Sequence, residues 1–258
     1  MQRWITLTTD FGVQDWFVGT MKGVIASIAP EARIIDITHE ISPGDITAAA
    51  LALAASYNYF PPKTIHVAVV DPGVGGKRDA LLIETERHYF IGPDNGIFTL
   101  VLRHEKKHRI RRLDNPCYFL PEVSRTFHGR DVFAPVAAHL SRGVKPSAMG
   151  TLKADCSQLS WPEAVRRGTR AEGAIIHFDR FGNAITNLPN TWLPGEMQLQ
   201  IGRRTVPVCN CYSAVQPGRL VAVPGSAGYV EIAVNQGDAR RQLHLRRGMK
   251  VRLVPQSM

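Results

Sequence analysis

The sequence predicts an α/β N-terminal domain with a largely parallel sheet, followed by a smaller all-β C-terminal domain, and two changes of texture along its 258 residues carry that prediction. Over the first 150 residues, short β-branched runs alternate with amphipathic or alanine-rich stretches, the pattern of parallel strands joined by helices. From Gly173 onward, short apolar runs are separated by Gly, Pro and Asn turns with no helical period. Between them, Trp161 to Arg170 (WPEAVRRGTR) is charged and carries Pro and Gly, which reads as a linker at 161–170 between domains at 1–160 and 171–258.

Taken in order, the first strand is expected at Trp4 to Thr8. Phe17, Met21, Val24, Ile25 and Ile28 then recur at the spacing that puts them on one face of a helix. Strands follow at Arg33 to Ile37, Thr64 to Val70 and Ala80 to Ile83. A second helix runs from Ile46 to Tyr57 and stops before Pro61-Pro62. A third is expected after Asp131, whose carboxylate caps it, with Val132 to Leu140 as its body and Pro135 confined to its first turn. The second domain offers strands at Ala174 to Phe178, Met197 to Ile201, Arg219 to Val223, Tyr229 to Val234 and Met249 to Val254. No internal repeat or low-complexity segment interrupts the chain.

Composition narrows the function classes. Hydrophobic residues are 44% and charged residues 21%, the balance of a globular protein. No apolar run approaches the roughly 18 residues that span a bilayer, and the start MQRWITLTTD lacks the apolar stretch of a signal peptide, so a cytoplasmic location without membrane attachment is the expectation. The cysteines at 117, 156, 209 and 211 are too few and too oddly spaced for a disulfide framework, and free buried thiols are expected. The formal charge of +9 would suit an anionic partner, and Arg103 to Arg112 (RHEKKHRIRR) concentrates six Lys or Arg in ten positions. A nucleic-acid-binding module built on that segment is the alternative reading. Because it lacks interleaved aromatics, a solvated basic face fits it better. His104-Glu105-Lys106-Lys107-His108 matches H-E-x-x-H in letters, but its arginine-rich flanks speak against the buried helix that a zinc site needs.

In open parallel sheets, ligands bind beyond the carboxyl ends of strands. Two acids stand at such ends: Asp10 in Thr8-Thr9-Asp10-Phe11-Gly12, and Asp71 after the apolar run His66 to Val70. Either could merely satisfy turn amides, but two at equivalent ends favour a site. The glycines at 73, 75 and 76 permit close backbone approach, yet the run continues Lys77-Arg78-Asp79 and matches neither common phosphate-loop pattern. His128 lies in Thr126-Phe127-His128-Gly129-Arg130-Asp131, immediately before the third helix. In the second domain, Asp179-Arg180-Phe181-Gly182-Asn183 and Gly225-Ser226-Ala227-Gly228-Tyr229 set aromatic rings beside amide and hydroxyl groups, as a nucleoside site requires.

These segments, together with Ser42-Pro43-x-Asp45 and Gly92-Pro93-Asp94-Asn95-Gly96, run in order across nearly the whole chain. As a set they resemble the SAM hydroxide adenosyltransferase family, hydrolases of S-adenosylmethionine (SAM) related to the SAM-dependent fluorinase and chlorinase. The resemblance implies a barrel-like C-terminal domain and a homotrimer binding SAM where one subunit's N-domain meets a neighbour's C-domain. It implies water handling by Asp71, Arg78 and His128, with Asp10 on the ribose. Phe11, Asp15, Asn95, Phe181, Asn183, Ser226, Glu231 and Val234 complete the substrate-binding set. SAM would be substrate, with neither cofactor nor metal. In the halogenating relatives the position of Asp71 is a tyrosine, so Asp71 points to water as nucleophile. Gly44 stands where those relatives carry a tryptophan, and Ala227 where they carry an arginine. Within this reading a protonated His128 and Arg78 would favour hydroxide character in the bound water, and the carboxylates would offset their charge near the sulfonium.

Overall fold

The computed structural model describes residues 3–193 and 197–256. The chain forms two compact units, Met1–Leu159 and Ser160–Met258. In the first, the order is β1 (Trp4–Thr9), α1 (Phe17–Ile28), β2 (Arg33–Thr38), α2 (Ile46–Ser56), β3 (Ile65–Val69), β4 (Ala80–Thr85), β5 (Tyr89–Pro93), α3 (Thr99–His104) and β6 (His108–Leu113). A π turn (Gly129–Phe133), α4 (Ala134–Ser141), α5 (Pro146–Met149) and β7 (Gly150–Lys153) complete it. The sheet order is β2-β1-β3-β5-β4-β6-β7.

β2, β1, β3 and β5 pair in parallel; α1 and α2 supply the crossovers from β1 to β2 and from β2 to β3, as the alternating pattern predicts, whereas β3 reaches β5 through β4. β4, expected among the parallel strands, runs antiparallel to both β5 and β6. Only three residues separate β4 from β5, enough for a hairpin and far too few for a crossover. Both faces of the sheet are covered, so the central strands β3 and β5 are buried along their whole length. Alternate residues of β3 show this: Ile65, Val67 and Val69 join one core with Met21 and Ile25 of α1 and Val136 of α4. Ala68 and the following Val70 join the other with Leu53 of α2 and Val101 of α3.

The starts of α2 and α4 are held differently. α2 is capped by Asp45, whose Oδ1 accepts from the Ala48 amide at 2.9 Å. Asp131 does not cap α4: it lies inside the π turn, fully buried, and accepts from the Ser124 amide at 2.9 Å.

The second unit contains β8 (Val165–Arg167), β9 (Arg170–Phe178), β10 (Ala184–Pro189), β11 (Met197–Ile201), β12 (Arg204–Pro207), β13 (Leu220–Pro224), β14 (Tyr229–Val234), α6 (Ala239–Gln242) and β15 (Lys250–Pro255). Its sheet is antiparallel in the order β12-β11-β15-β9-β10-β14-β13. A bridge from Val208 to Ala222, with the Cys209 amide donating to the Ala222 carbonyl at 2.8 Å, brings the two ends together into a nearly closed barrel around Ile175, Leu199, Ile232 and Leu253. β8 lies inside the stretch read as a linker and pairs with β9, so those residues are built into this sheet. The cysteines are free, but Cys117 and Cys211 are exposed and Cys156 and Cys209 half-buried, not buried as expected. No helix among the described residues is long and apolar enough to cross a membrane.

Candidate active site

The parallel strands β1 and β3 are neighbours and deliver Asp10 and Asp71 to the same end of the sheet. There a cleft of about 530 Å³ is lined by Asp10, Phe11, Phe17, Pro43, Gly44, Val69, Asp71, Pro72, Val74, Thr126, Phe127, His128 and Gly129. Asp10 is anchored through one oxygen: Oδ2 accepts from the Gly44 amide at 2.8 Å, which leaves Oδ1 for a ligand hydroxyl. Gly44 holds a left-handed φ of +75° to present that amide. Phe11, Phe17 and Phe127 pack mutually, with centroids 5.1–5.9 Å apart, into an aromatic wall.

Asp71 and Arg78 form a forked ion pair across the glycine-rich turn between β3 and β4. Arg78 Nε donates to both carboxylate oxygens at 3.1 and 3.0 Å, and Nη2 donates to Oδ2. Their side chains are only 5% and 11% exposed, so solvent screens the pair little. The same Nη2 lies 2.8 Å from Nδ1 of His128. A guanidinium has donors only, so Nδ1 is the acceptor and the ring proton of a neutral His128 sits on Nε2. Burial, and next the Arg78 charge, hold the His128 pKa below its ordinary value, while Asp71, Asp131 and a backbone hydrogen bond at Ser124 act the other way. His128 is therefore neutral near pH 7, and the protonated imidazole expected from sequence is corrected. Two carboxylates face one guanidinium here, so the cleft carries a net negative charge that suits a cationic ligand.

The remaining predicted residues separate into three groups. Asp15 is exposed in the turn before α1 and does not line the cleft. Asn95 is committed to backbone: Nδ2 donates to the Val70 carbonyl at 2.8 Å and Oδ1 accepts from the Ile97 amide, which steadies the strand end that carries Asp71. Phe181, Asn183, Ser226, Glu231 and Val234 meet in a groove of the second unit. There Asp179 Oδ1 accepts from the Phe181 and Asn183 amides at 2.9 and 2.8 Å, and this turn holds the Phe181 ring 74% exposed.

Sequence reasoning missed Tyr212, whose hydroxyl donates to Glu231 Oε2 at 2.8 Å in that groove. Burial raises the Glu231 pKa, with Asp179 adding to it, and pushes the Tyr212 phenol up to about 12. Nothing in Cys209-Asn210-Cys211-Tyr212 marks the position in one dimension. The basic segment is divided between the end of α3 and β6, and Lys107, Arg109 and Arg112 are paired with Glu86, Glu84 and Asp114. His104 closes a helix and His108 opens a strand, so the H-E-x-x-H letters do not share one helical face.

The model of the SAM hydroxide adenosyltransferase N-terminal domain matches residues 5–150, and that of the C-terminal domain matches residues 173–252. The chain belongs to the SAM hydroxide adenosyltransferase family. Similar proteins include the (R)-S-adenosyl-L-methionine hydrolase of Thermus thermophilus, 40% identical over 98% of this chain and all of that one. The hydrolase of the same name from Salinispora arenicola is 38% identical over 97% of each chain. A fluorinase of an Actinoplanes species is more distant, at 24% identity over 96% of each. A crystal structure of an uncharacterized conserved protein from Thermotoga maritima superposes with a TM-score of 0.92 at 36% identity, covering 97% of this chain and 99% of that one. Membership in the family agrees with the order of motifs along the chain and with the α/β-plus-barrel architecture.

Proposed function

We propose that this chain hydrolyses S-adenosyl-L-methionine to adenosine and L-methionine, with the (R) configuration at sulfur that the curated relatives carry in their name. The observation that carries the reading is the Asp71–Arg78–His128 chain of hydrogen bonds at the end of β3, in one cleft with Asp10. Water attacks C5′ of the ribose in line with the C–S bond. The C–S electron pair leaves with sulfur, giving a neutral thioether, and the proton lost by water is released. Because the sulfonium is already an activated leaving group, departure needs neither a general acid nor a metal, and the reading is metal-independent.

What the protein must supply is a fixed, desolvated nucleophile, and replacing a bimolecular encounter by a held geometry contributes on the order of several kcal/mol. Asp71 accepts hydrogen bonds only and is the group that orients water and takes its proton. Arg78 locks the carboxylate in plane and fixes the His128 tautomer, so that Nε2–H is the remaining donor of that ring. Asp10 holds a ribose hydroxyl through Oδ1. The net negative cleft attracts the sulfonium, whereas the overall charge of +9 opposes it, so recognition is local.

The groove around Phe181, Asn183, Ser226, Glu231 and Val234 holds the rest of the substrate in this reading. Each subunit's groove meets a neighbour's cleft in a homotrimer acting in the cytoplasm. Two half-sites carried on separate units, one with Asp10, Asp71 and an aromatic wall and the other with Phe181, Tyr212 and amide side chains, support that assembly, and light scattering of the purified protein tests it. For the reaction, the protein is incubated with each sulfonium epimer of SAM in H₂¹⁸O with chelator present. Adenosine labelled in its 5′-hydroxyl, unlabelled methionine and loss of activity in Asp71→Asn are expected. No adenosine above the protein-free control, or unlabelled adenosine, refutes the reading.

A further inference from the structure

The loop that carries His128 is closed by a buried carboxylate to which the reaction assigns no step. Asp131 has no solvent-exposed surface. Its Oδ2 accepts from the Ser124 amide at 2.9 Å, seven residues back, and Arg130 Nε donates to Oδ1 at 2.6 Å. The Ser124 hydroxyl accepts in turn from the Phe127 amide at 3.1 Å, immediately before His128. The Phe127 carbonyl receives the amides of Arg130 and Asp131, which opens the π turn directly after His128. The residue before His128 is thereby held at both ends, its amide through the Ser124 residue that the Asp131 carboxylate anchors and its carbonyl by the Arg130 and Asp131 amides.

The other side of the same loop rests on the turn that holds Arg78. A Cβ on Gly75 would lie 2.1 Å from the Arg125 carbonyl oxygen, so these backbones are already in contact. Gly129 is confined less tightly, since its Cβ would stand 3.1 Å from the Phe127 ring and 3.2 Å from the Met21 sulfur. The imidazole is thus presented from a loop braced on both flanks, and a 2.8 Å contact to Arg78 tolerates little drift.

We propose that Asp131 is a positioning residue: its buried carboxylate clasps the loop of residues 124–131 so that His128 meets Arg78 in a single tautomer with Nδ1 accepting. A group buried this completely gains nothing from solvent, and its hydrogen bonds serve only to hold backbone and Arg130 in place. Asp131→Asn keeps the shape but turns one oxygen into a donor: in either orientation its NH₂ faces Arg130 Nε or the Ser124 amide, donor against donor, and the charge that holds Arg130 is lost. The loop then relaxes, and His128 samples both tautomers. The role rests on the hydrolase reading, although the clasp itself is observable without it.

The test is Asp131→Asn in the full chain, read by nitrogen-15 shifts of the His128 ring and by steady-state kinetics with SAM. Wild type should show one tautomer with a proton on Nε2, and the variant averaged ring shifts. In the variant kcat should fall on the order of 10²-fold, with KM within about twofold, because His128 and not the substrate contacts has moved. Wild-type ring shifts and kcat in a folded Asp131→Asn protein overturn the proposal, as does an equal loss in kcat and gain in KM. Should Asp131→Asn not fold, Ser124→Ala removes the hydroxyl that steadies Phe127 and leaves both charges in place. A drop in its kcat at unchanged KM supports the clasp, and wild-type kcat refutes it. If wild type itself releases no adenosine, the hydrolase reading fails, while the ring shifts still decide the clasp.

Discussion

His66 and His88 give the fold an acid sensitivity whose size can be worked out. Both are fully buried. His66 stacks on Phe90 at 5.2 Å, and its Nδ1 lies 2.8 Å from the Thr6 hydroxyl. The His88 ring stands edge-on to it at 5.1 Å, with neither ring nitrogen hydrogen-bonded among the described residues. Burial, and secondarily the facing His88, drives the His66 pKa down to about 3. Burial, then the charges of Arg87 and Lys63, takes His88 to about 4. The folded chain thus keeps both rings neutral where the unfolded chain, with histidines near 6.5, takes up two protons. Stability is unaffected above about pH 7 and falls as pH drops below 6.5. Each unmatched proton costs about 1.4 kcal/mol per pH unit, so the pair contributes a slope of about 2.7 kcal/mol per pH unit between roughly pH 6 and 4.5. His88→Leu removes one proton and two unpartnered nitrogens. It should change stability at pH 7.5 by less than about 1.5 kcal/mol and cut the slope by about 1.4 kcal/mol per pH unit. Urea unfolding at half-unit pH steps measures both proteins, and the carboxylates common to the two cancel in the difference. Identical slopes would refute the assignment of a buried, neutral His88.

Other outcomes follow from the site. Asp71→Asn should lower kcat on the order of 10²-fold and destabilise by about 3 kcal/mol, since Arg78 loses its buried partner; kinetics and calorimetry read the two effects. The pH–rate profile should stay flat down to the ordinary histidine range and fall below it, because protonation of His128 removes the acceptor that Arg78 uses. An acidic limb centred above 6.5 would contradict that. Gly75→Ala forces a side chain into a φ of +72° and against the Arg125 carbonyl, so it should lower both melting temperature and kcat. Tyr212→Phe strips the donor from buried Glu231, at a cost of about 1–3 kcal/mol, and raises KM through the groove.

Much of the architecture was legible in one dimension. β1, β2, β3, α1 and α2 appear within a residue or two of their expected limits, because their apolar periods are long and flanked by Gly, Pro or Asp. Asp10 and Asp71 were legible too, since strand-end acids on neighbouring parallel strands must converge. Weak patterns hid other elements. β6 was masked by Arg109, Arg111 and Arg112, which break the apolar alternation around Ile110 and Leu113, and β8 by its short polar run.

Tertiary structure alone decided the chemistry of the cleft. Sequence could nominate His128, but its charge and tautomer depend on an Arg78 contact spanning 50 positions and on burial that only packing creates. The use of Asp131 as a clasp rather than a cap turns on a π turn that no propensity distinguishes from an α turn. Tyr212 joins Glu231 because the near-closed barrel brings the segment after β12 beside β14, and that closure is a property of the whole sheet. Local period and turn chemistry set which residues stand at the strand ends; long-range contacts and exclusion of water set what those residues can do.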